Sequence, residues 1–193
     1  MKIGILAIQG AVQLHVDVLD RCGIAAVEVR TATHLADVDG LIMPGGESTT
    51  MSMLLERTGL FDPLAQRIDA GLPVFGTCAG MILLADGVVG GRDDQRSLGA
   101  IDIDVERNGY GRQRESFEAP IELGDGSTPF PGVFIRAPRV LRAGPSVEVL
   151  AELDATPVLA RSGSVMVSSF HPELSGDLRL HQRFLAWAGE LHR

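Results

Sequence analysis

The sequence feature that most constrains this chain is a glycine-flanked cysteine between two apolar runs. The first run, Leu72–Phe75, ends at Gly76; Cys78 lies midway between Gly76 and Gly80, and a second run, Met81–Leu84, follows. This order predicts a strand, a sharp turn and a helix, because G-x-C-x-G is the thiol counterpart of the G-x-S-x-G nucleophile elbow. Glycine two residues before and after the apex lets the strand and the helix approach closely.

A cysteine at the apex of such a turn is a candidate nucleophile. Its backbone is held in an uncommon conformation, and the start of the following helix favours a negatively charged thiolate. The alternative is a buried cysteine that packs as a small hydrophobe, which is the usual role of a free cysteine. The local pattern leaves both interpretations of Cys78 open, so the remaining chain has to supply a base and a substrate site.

Composition indicates an ordinary globular protein. The 193 residues are 45% hydrophobic and 22% charged, which fits a single domain over residues 1–193. The net charge of −8 argues against a nucleic-acid or anionic membrane surface. Two cysteines without metal-type or paired spacing predict a reducing, cytoplasmic compartment. Met1–Ile8 is interpreted as a first strand rather than a signal peptide, and no apolar run is long enough for a membrane span.

The first half of the chain alternates strand and helix patterns. Strands are expected at Ile3–Ile8, Ala26–Val29, Leu41–Met43 and the run before Cys78; helices are expected at Ala11–Arg21, at about 50–56 and at about 61–70. The first helix would bury an apolar stripe made of Ala11, Leu14, Val18 and Cys22. This alternation predicts an α/β fold, a three-layer, doubly wound and mostly parallel sheet.

The second half contains strand patterns without helices between them. Extended segments are expected at Ala100–Glu106, Ser116–Leu123, Val133–Ile135, Val147–Leu153, Pro157–Arg161 and Val165–Phe170, before a final helix at Asp177–Leu191. We expect these strands to be antiparallel additions at one end of the sheet.

A candidate base follows the strand Val165–Phe170. His171 and Glu173 lie where that strand ends, which is the edge of an open α/β sheet at which functional crevices form. A thiol nucleophile needs a base that takes and returns a proton, and a third group that fixes the imidazole tautomer. A surface loop with a helix-capping glutamate is the alternative. The histidines at 15, 34, 181 and 192 are interpreted as structural or solvated.

A second glycine turn, Pro44–Ser48, follows the strand Leu41–Met43. The backbone N–H groups of Gly46 and of Ala79, next to the cysteine, are candidate donors for an oxyanion hole. A phosphate-binding loop would need a following lysine, and a dinucleotide site would need G-x-G-x-x-G after the first strand; neither is present. An ordinary strand–turn–helix junction is the remaining alternative.

Arginines supply candidate contacts to a carboxylate substrate. Arg107 opens a polar loop that continues through residues 112–114, and Arg136 follows the strand Val133–Ile135. Guanidinium groups hold carboxylates through two parallel hydrogen bonds. Glutamates in the same loop argue against RNA binding. Either arginine could instead form a structural salt bridge. No cluster has metal-ligand spacing.

Taken together, these motifs resemble triad-type (class I) glutamine amidotransferases, and more closely the glutaminase subunits of pyridoxal 5′-phosphate synthases. The matching stretches cover essentially the whole chain and are Ala7–Val12, Pro44–Thr49, Gly76–Gly80, Arg107–Asn108, Gly111–Phe117, Phe134–Pro138 and Phe170–Leu174. Arg112–Phe117 and Phe134–Pro138 are the specific part, because other amidotransferases share only the elbow and the His-x-Glu pair. The charged loop Gly91–Ser97 and Arg139 differ from the family pattern.

The resemblance implies a glutaminase that hydrolyses L-glutamine to L-glutamate and ammonia. It implies a catalytic triad of Cys78, His171 and Glu173, a glutamyl thioester on Cys78, and an oxyanion hole formed by Gly46 and Ala79. The implied glutamine-binding residues are Gly46, Glu47, Ser48, Arg107, Ile135 and Arg136. No cofactor or metal is implied. The implied partner is a separate synthase subunit, which receives the ammonia in a hetero-oligomer and makes pyridoxal 5′-phosphate, vitamin B6.

Two alternatives keep the same fold. The chain could be a glutaminase serving another synthase, such as that of imidazole glycerol phosphate, or a catalytically idle regulatory subunit. The presence of Cys78, His171 and Glu173 argues against the idle subunit.

Overall fold

The structure, a computed structural model, describes residues 1–110 and 116–191. Its strands are β1 (Ile3–Leu6), β2 (Ala26–Val29), β3 (Gly40–Met43), β4 (Val74–Thr77), β5 (Ala85–Val89), β6 (Ile101–Glu106), β7 (Phe117–Ile121), β8 (Phe130–Phe134), β9 (Arg139–Ala143), β10 (Glu148–Leu153), β11 (Thr156–Ser162) and β12 (Val165–Ser168). Its helices are α1 (Val12–Arg21), α2 (Ala32–Ala36), α3 (Ser48–Arg57), α4 (Phe61–Asp69), α5 (Ala79–Leu84) and α6 (Arg179–Leu191), with a 3-10 helix at Pro172–Leu174.

The central sheet has the strand order β10-β11-β12-β4-β3-β1-β2. Strands β2, β1, β3, β4 and β12 pair in parallel, whereas β11 and β10 add antiparallel beyond β12. Parallel neighbours need a crossover connection, which helices supply in the first half, whereas short turns join β10, β11 and β12. The predicted α/β sheet with antiparallel strands at one end is confirmed.

Helices cover both faces of this sheet. Alternate side chains of β3 point to opposite faces, so Leu41 and Met43 join one core cluster and Ile42 joins the other. The first cluster contains residues of α3, α4 and α5; the second contains Leu19 of α1 and Phe184 of α6. The result is the three-layer arrangement expected for this class of fold.

Two groups of later strands form separate sheets, which corrects the expectation that all of them extend the main sheet. Strands β5, β6 and β9 make a three-stranded sheet, and β7 pairs with β8 as a ribbon. Neither β5 nor β9 was expected. The second apolar run forms only a short helix, because the backbone becomes extended at Ala85 and continues as β5. In β9 only Val140 is buried, so its sequence lacks an alternating apolar pattern.

None of the helices in the described ranges combines the length and the apolar character that crossing a membrane requires.

Candidate active site

Cys78 lies at the turn between β4 and α5. Its backbone has a φ of 49° and a ψ of −101°, which is unusual for a residue with a side chain. Such a conformation costs on the order of 1–3 kcal/mol and persists only where neighbouring structure holds it. Here the Cys78 N–H donates to the Ser168 carbonyl at 2.8 Å, which ties the turn to the end of β12.

The two glycines beside the cysteine are required by close backbone contact. A Cβ on Gly76 would lie 2.8 Å from the carbonyl carbon of Gly80, and a Cβ on Gly80 would collide with the carbonyl oxygen of Met43. The elbow therefore packs α5 directly onto β3 and β4, as its sequence predicts, and the thiol faces the carboxyl edge of the sheet.

His171 and Glu173 stand beside this thiol. The His171 N–H donates to the Val133 carbonyl at 2.8 Å, which fixes the loop against β8. His171 Nδ1 lies 2.7 Å from Glu173 Oε1, and the neighbouring Cys78 side chain is one of the groups that raise the pKa of the imidazole. The Cys78 thiol itself donates to the Ile135 carbonyl at 3.8 Å. The His171 and Glu173 side chains are almost fully buried. The structure thus brings the three predicted residues together in one cluster.

The surroundings favour a charged His171–Glu173 pair. Burial acts to lower the pKa of His171, but the hydrogen bonds and negative charges of Cys78 and Glu173 outweigh it and raise that pKa to about 10. Burial acts to raise the pKa of Glu173, yet His15 and His171 bring it below its usual value. A protonated imidazole held between a sulfur and a carboxylate can return a proton to a leaving group.

The Gly45–Gly46 turn closes the other side of the site. A Cβ on Gly45 would lie 2.8 Å from His171 Nδ1, so the turn packs against the imidazole. Ala11 N–H donates to the Gly45 carbonyl at 2.9 Å, which holds this turn against the start of α1. Ala79 is the first residue of α5, where a backbone N–H has no acceptor within the helix.

Glu47 and Arg107 form a polar network at the start of α3. The Glu47 carboxylate caps this helix by accepting from the Thr50 N–H at 2.7 Å, and it is ion-paired with Arg107. Burial acts to raise the pKa of Glu47, but its hydrogen bonds with Thr50 and Thr49 and the charge of Arg107 lower it. Arg107 also donates to Thr49 Oγ1 at 3.0 Å.

A cavity of about 180 Å³ lies between these groups. The predicted residues that line it are Gly46, Glu47, Ser48, Cys78, Ala79, Arg107, Ile135, Arg136 and His171. Glu173 lies outside this set, behind the imidazole. The predicted loop residues 111–115, including Arg112 and Arg114, lie outside the described residues. In the part of the chain that the structure describes, no group of three or more His, Cys, Asp or Glu side chains could hold a metal ion.

Sequence patterns alone do not reveal the groups that support the site. Gln9 accepts through its side-chain oxygen from the Glu47 N–H at 2.9 Å. His15 and His181, interpreted from sequence as structural or solvated, are both fully buried. His15 Nε2 lies 3.4 Å from Glu173 Oε2, so this histidine belongs to the surroundings of the site. The sequence feature that could have indicated a buried His15 is its helical spacing from Val18 and Leu19, with which it shares the buried face of α1.

Comparison with known proteins identifies close relatives over nearly the whole chain. The model of the SNO glutamine amidotransferase family matches residues 5–188. Pyridoxal 5′-phosphate synthase subunit PdxT from Geobacillus sp. (strain WCH70) is 52% identical, over 96% of this chain and 95% of the relative. The subunit of the same name from Frankia casuarinae is 54% identical, over 95% and 93%.

Two solved structures have a fold similar to that of this chain. A crystal structure of a glutamine amidotransferase is 50% identical, has a TM-score of 0.91, and is matched over 97% of this chain and 98% of that one. The crystal structure of a putative GMP synthase component from Thermoplasma acidophilum has a TM-score of 0.71 at 14% identity, over 100% and 96%, which shows the shared fold alone.

Proposed function

The chain belongs to the SNO glutamine amidotransferase family, and from this premise we propose that Cys78, His171 and Glu173 hydrolyse the side-chain amide of L-glutamine. The observation that carries the proposal is the cluster of Cys78, His171 and Glu173, in which the imidazole contacts the carboxylate and lines the same cavity as the thiol. The chain is the glutaminase subunit of a pyridoxal 5′-phosphate synthase, as its relatives over nearly the full length are named for that enzyme. We further propose that residues 1–193 form a single amidotransferase domain.

The first half of the reaction forms a thioester. The Cys78 sulfur attacks the amide carbon of glutamine, and the resulting oxyanion accepts hydrogen bonds from the Gly46 and Ala79 N–H groups. His171 then donates its proton to the amide nitrogen, the C–N bond breaks, and ammonia leaves. The raised pKa of His171 supports this step, because the imidazole is protonated before the leaving group departs.

The second half regenerates the cysteine. His171 takes a proton from a water molecule, which attacks the thioester carbon through the same oxyanion site. The C–S bond breaks, the proton returns to sulfur, and L-glutamate leaves. Glu173 stays ionised throughout and orients the imidazole through its 2.7 Å contact with Nδ1.

The charged groups of the cavity suit the zwitterionic end of glutamine. Arg136 lies exposed at the rim and is proposed to hold the α-carboxylate, whereas Glu47, ion-paired with Arg107, faces the α-ammonium group. Ser48 and Ile135 complete the substrate contacts. Both Glu47 and Arg107 are partly buried, so their charges are less screened than those of surface pairs.

Ammonia released here passes to a synthase chain. The existence of a synthase partner follows from the relatives' role as subunits of one enzyme, and we propose that the two chains form a hetero-oligomer that carries ammonia between them. Because the nucleophile must remain a free thiol, we propose that the reaction runs in the reducing cytoplasm; both cysteines are free in the structure.

The test is the variant Cys78→Ala in a reconstituted complex with a pyridoxal 5′-phosphate synthase subunit. We expect pyridoxal 5′-phosphate synthesis from glutamine to be abolished and synthesis from added ammonia to be unchanged, because only the glutaminase step needs the thiol. The matched control is Cys22→Ala, which removes the other free cysteine, away from the cavity, and should leave both rates intact.

Undiminished glutamine-dependent synthesis by Cys78→Ala would contradict the assignment of the nucleophile. Stimulation of glutaminase activity by the synthase of imidazole glycerol phosphate, and not by that of pyridoxal 5′-phosphate, would instead contradict the assignment of the client.

A further inference from the structure

A pair of buried histidines lies directly behind the carboxylate of Glu173. His15 on α1 and His181 on α6 have no exposed surface, and His15 Nδ1 lies 2.9 Å from His181 Nε2. The other nitrogen of His15, Nε2, lies 3.4 Å from Glu173 Oε2 and 3.3 Å from Thr77 Oγ1. His15 therefore touches both the residue that precedes Cys78 and the acid that orients His171.

The contacts of this pair determine which nitrogens carry protons. Glu173 Oε2 is buried, has no hydrogen-bond partner among the described residues and can only accept, so a proton on His15 Nε2, 3.4 Å away, is the arrangement that suits this oxygen. His15 Nδ1 is then an acceptor, and His181 Nε2–H donates to it. The opposite arrangement would let the Thr77 hydroxyl donate to His15 Nε2, but it would point a lone pair at the carboxylate. It would also leave a buried N–H of His181 without a partner, since His181 Nδ1 makes no hydrogen bond within the described ranges.

We propose that His15 is a positioning residue for glutamine hydrolysis: its Nε2–H holds the second oxygen of Glu173, and His181 fixes the tautomer that makes this possible. The hydrogen-bonded chain would then run from His181 through His15, Glu173 and His171 to Cys78. This inference rests on the proposed function, in which Glu173 works as an ionised carboxylate.

The charges around the pair agree with neutral, donating imidazoles. Burial is the main cause that lowers the pKa of His15; the charge of His171 lowers it further, and the charge of Glu173 opposes both. Burial and the neighbouring His15 likewise lower the pKa of His181, to about 3, against the smaller influence of Glu173. A neutral His15 stabilises the carboxylate by a directed N–H while adding no positive charge that would compete with His171.

The decisive variants are His15→Leu and His15→Gln, assayed in the complex with the synthase subunit. Leucine keeps the volume and removes the N–H that faces the buried Glu173 Oε2. We expect kcat to fall about tenfold, equivalent to one pKa unit of lost interaction, with KM within about twofold. The acidic limb of the pH profile should move upward by about one unit, because Glu173 would protonate more readily. Glutamine places an amide N–H near the Nε2 position and should restore most of kcat.

Two further measurements separate this inference from the proposed function. If the wild-type complex hydrolysed no glutamine, the proposed function would fail. The pH dependence of Cys78 alkylation by iodoacetamide, compared between the wild type and His15→Leu, would then still report on the hydrogen-bonded chain.

Nitrogen NMR of the wild-type histidines tests the tautomers without any variant, and we expect His15 and His181 both protonated at Nε2. Equal kcat and pH profiles in wild type and His15→Leu, or a His15 protonated at Nδ1, would overturn the proposal.

Discussion

The hydroxyl group of Thr49 links Arg107, in the wall of the cavity, to the loop that follows β5. Thr49 Oγ1 accepts a hydrogen bond from Arg107 and donates one, at 3.0 Å, to Gln95 Oε1. Gln95 belongs to the charged loop Gly91–Ser97. The hydroxyl therefore allows that loop to influence how a guanidinium in the substrate cavity is oriented.

Removal of this hydroxyl by Thr49→Val should weaken glutamine binding and leave the chemistry intact. Valine has the same shape, so the change removes two hydrogen bonds and creates no cavity. Each such bond contributes about 0.5–1.5 kcal/mol, so we expect KM for glutamine to rise about three- to tenfold with kcat nearly constant. Steady-state kinetics of the complex with its synthase subunit measures both constants.

The control for this variant is Thr58→Val, at the other end of α3. Thr58 Oγ1 donates to the Leu54 carbonyl, and Thr58 does not line the cavity. The Thr58→Val variant should change the stability of the protein only slightly and should not change KM. A fall in kcat without a change in KM for Thr49→Val would show that the hydroxyl acts on catalysis and would contradict a binding role.

Local sequence points to the proposed nucleophile, Cys78, more clearly than to the residue proposed to position its triad, His15. Cys78 is recognisable because its glycines lie close in sequence and have a steric reason. His15 cannot be recognised in this way. The apolar stripe expected on α1 includes Leu14, which is 38% exposed, whereas the face that is buried in the structure holds His15, Val18 and Leu19. What makes His15 important is a contact with Glu173, 158 positions away in the sequence, which no local pattern encodes.

At the scale of elements, α5 is positioned by contact between its own backbone and β3. Gly80 lies inside this helix, where an isolated helix would favour alanine by about 1 kcal/mol. In the fold, however, the Gly80 Cα faces the carbonyl of Met43, so a methyl group has no room. The close approach of α5 also fixes where Cys78 and the Ala79 N–H lie.

The variant Gly80→Ala should therefore destabilise the protein although it improves helix propensity. Because the colliding atom belongs to the backbone of a buried strand, relief requires α5 to shift, and we expect a loss of about 1–3 kcal/mol in the free energy of unfolding. Glutaminase activity should fall as well, since the shift moves Cys78 away from His171. Urea unfolding and the glutaminase assay measure the two effects.

Gly189→Ala on α6 is the matched control. Among the described residues, and apart from its chain neighbours and the backbone of its own helix, no atom lies within 4 Å of the position that its Cβ would take. Helix propensity should therefore dominate and raise stability by up to about 1 kcal/mol. If both alanine variants were stabilising, close packing of α5 on β3 would not be the reason for glycine at position 80.

The parallel half of the fold is predictable at this scale, and the small sheets are not. A fully buried strand such as β3 stands out as an apolar run between helical patterns, so the predicted Leu41–Met43 agrees with the observed Gly40–Met43 to within one residue. Strand β9 carries Arg139 and Arg142 and exposes most of its residues, and Arg142 forms ion pairs with Asp102 and Asp104 of its neighbour β6. Such cross-strand pairs have no signature in a single strand.

For the molecule as a whole, the buried histidines make stability depend on pH in two opposite ways. His171 has a raised pKa, so its contribution is complete below about pH 6.5, the unfolded value, and is lost as pH rises through about 10. His15 and His181 have lowered pKa values, so they bind protons in the unfolded chain before they bind them in the folded one. Their contribution is therefore complete above about pH 6.5 and is lost as pH falls toward the folded value, about 3 for His181.

The variant His181→Leu should make the protein less sensitive to acid. Between pH 7.5 and pH 5, a histidine that titrates only in the unfolded state costs about 2 kcal/mol of stability, and leucine at this position removes that cost. Because His15 loses its partner, the variant starts from a different stability at pH 7.5, so the quantity to compare is the difference between the two pH values in urea unfolding. The control is His34→Leu, which alters a side chain that is exposed in the fold and should leave the difference unchanged. If the loss of unfolding free energy between pH 7.5 and pH 5 were the same in His181→Leu and in the wild type, His181 would have to be protonated inside the fold. That result would also remove the reason for assigning His15 as a neutral donor to Glu173.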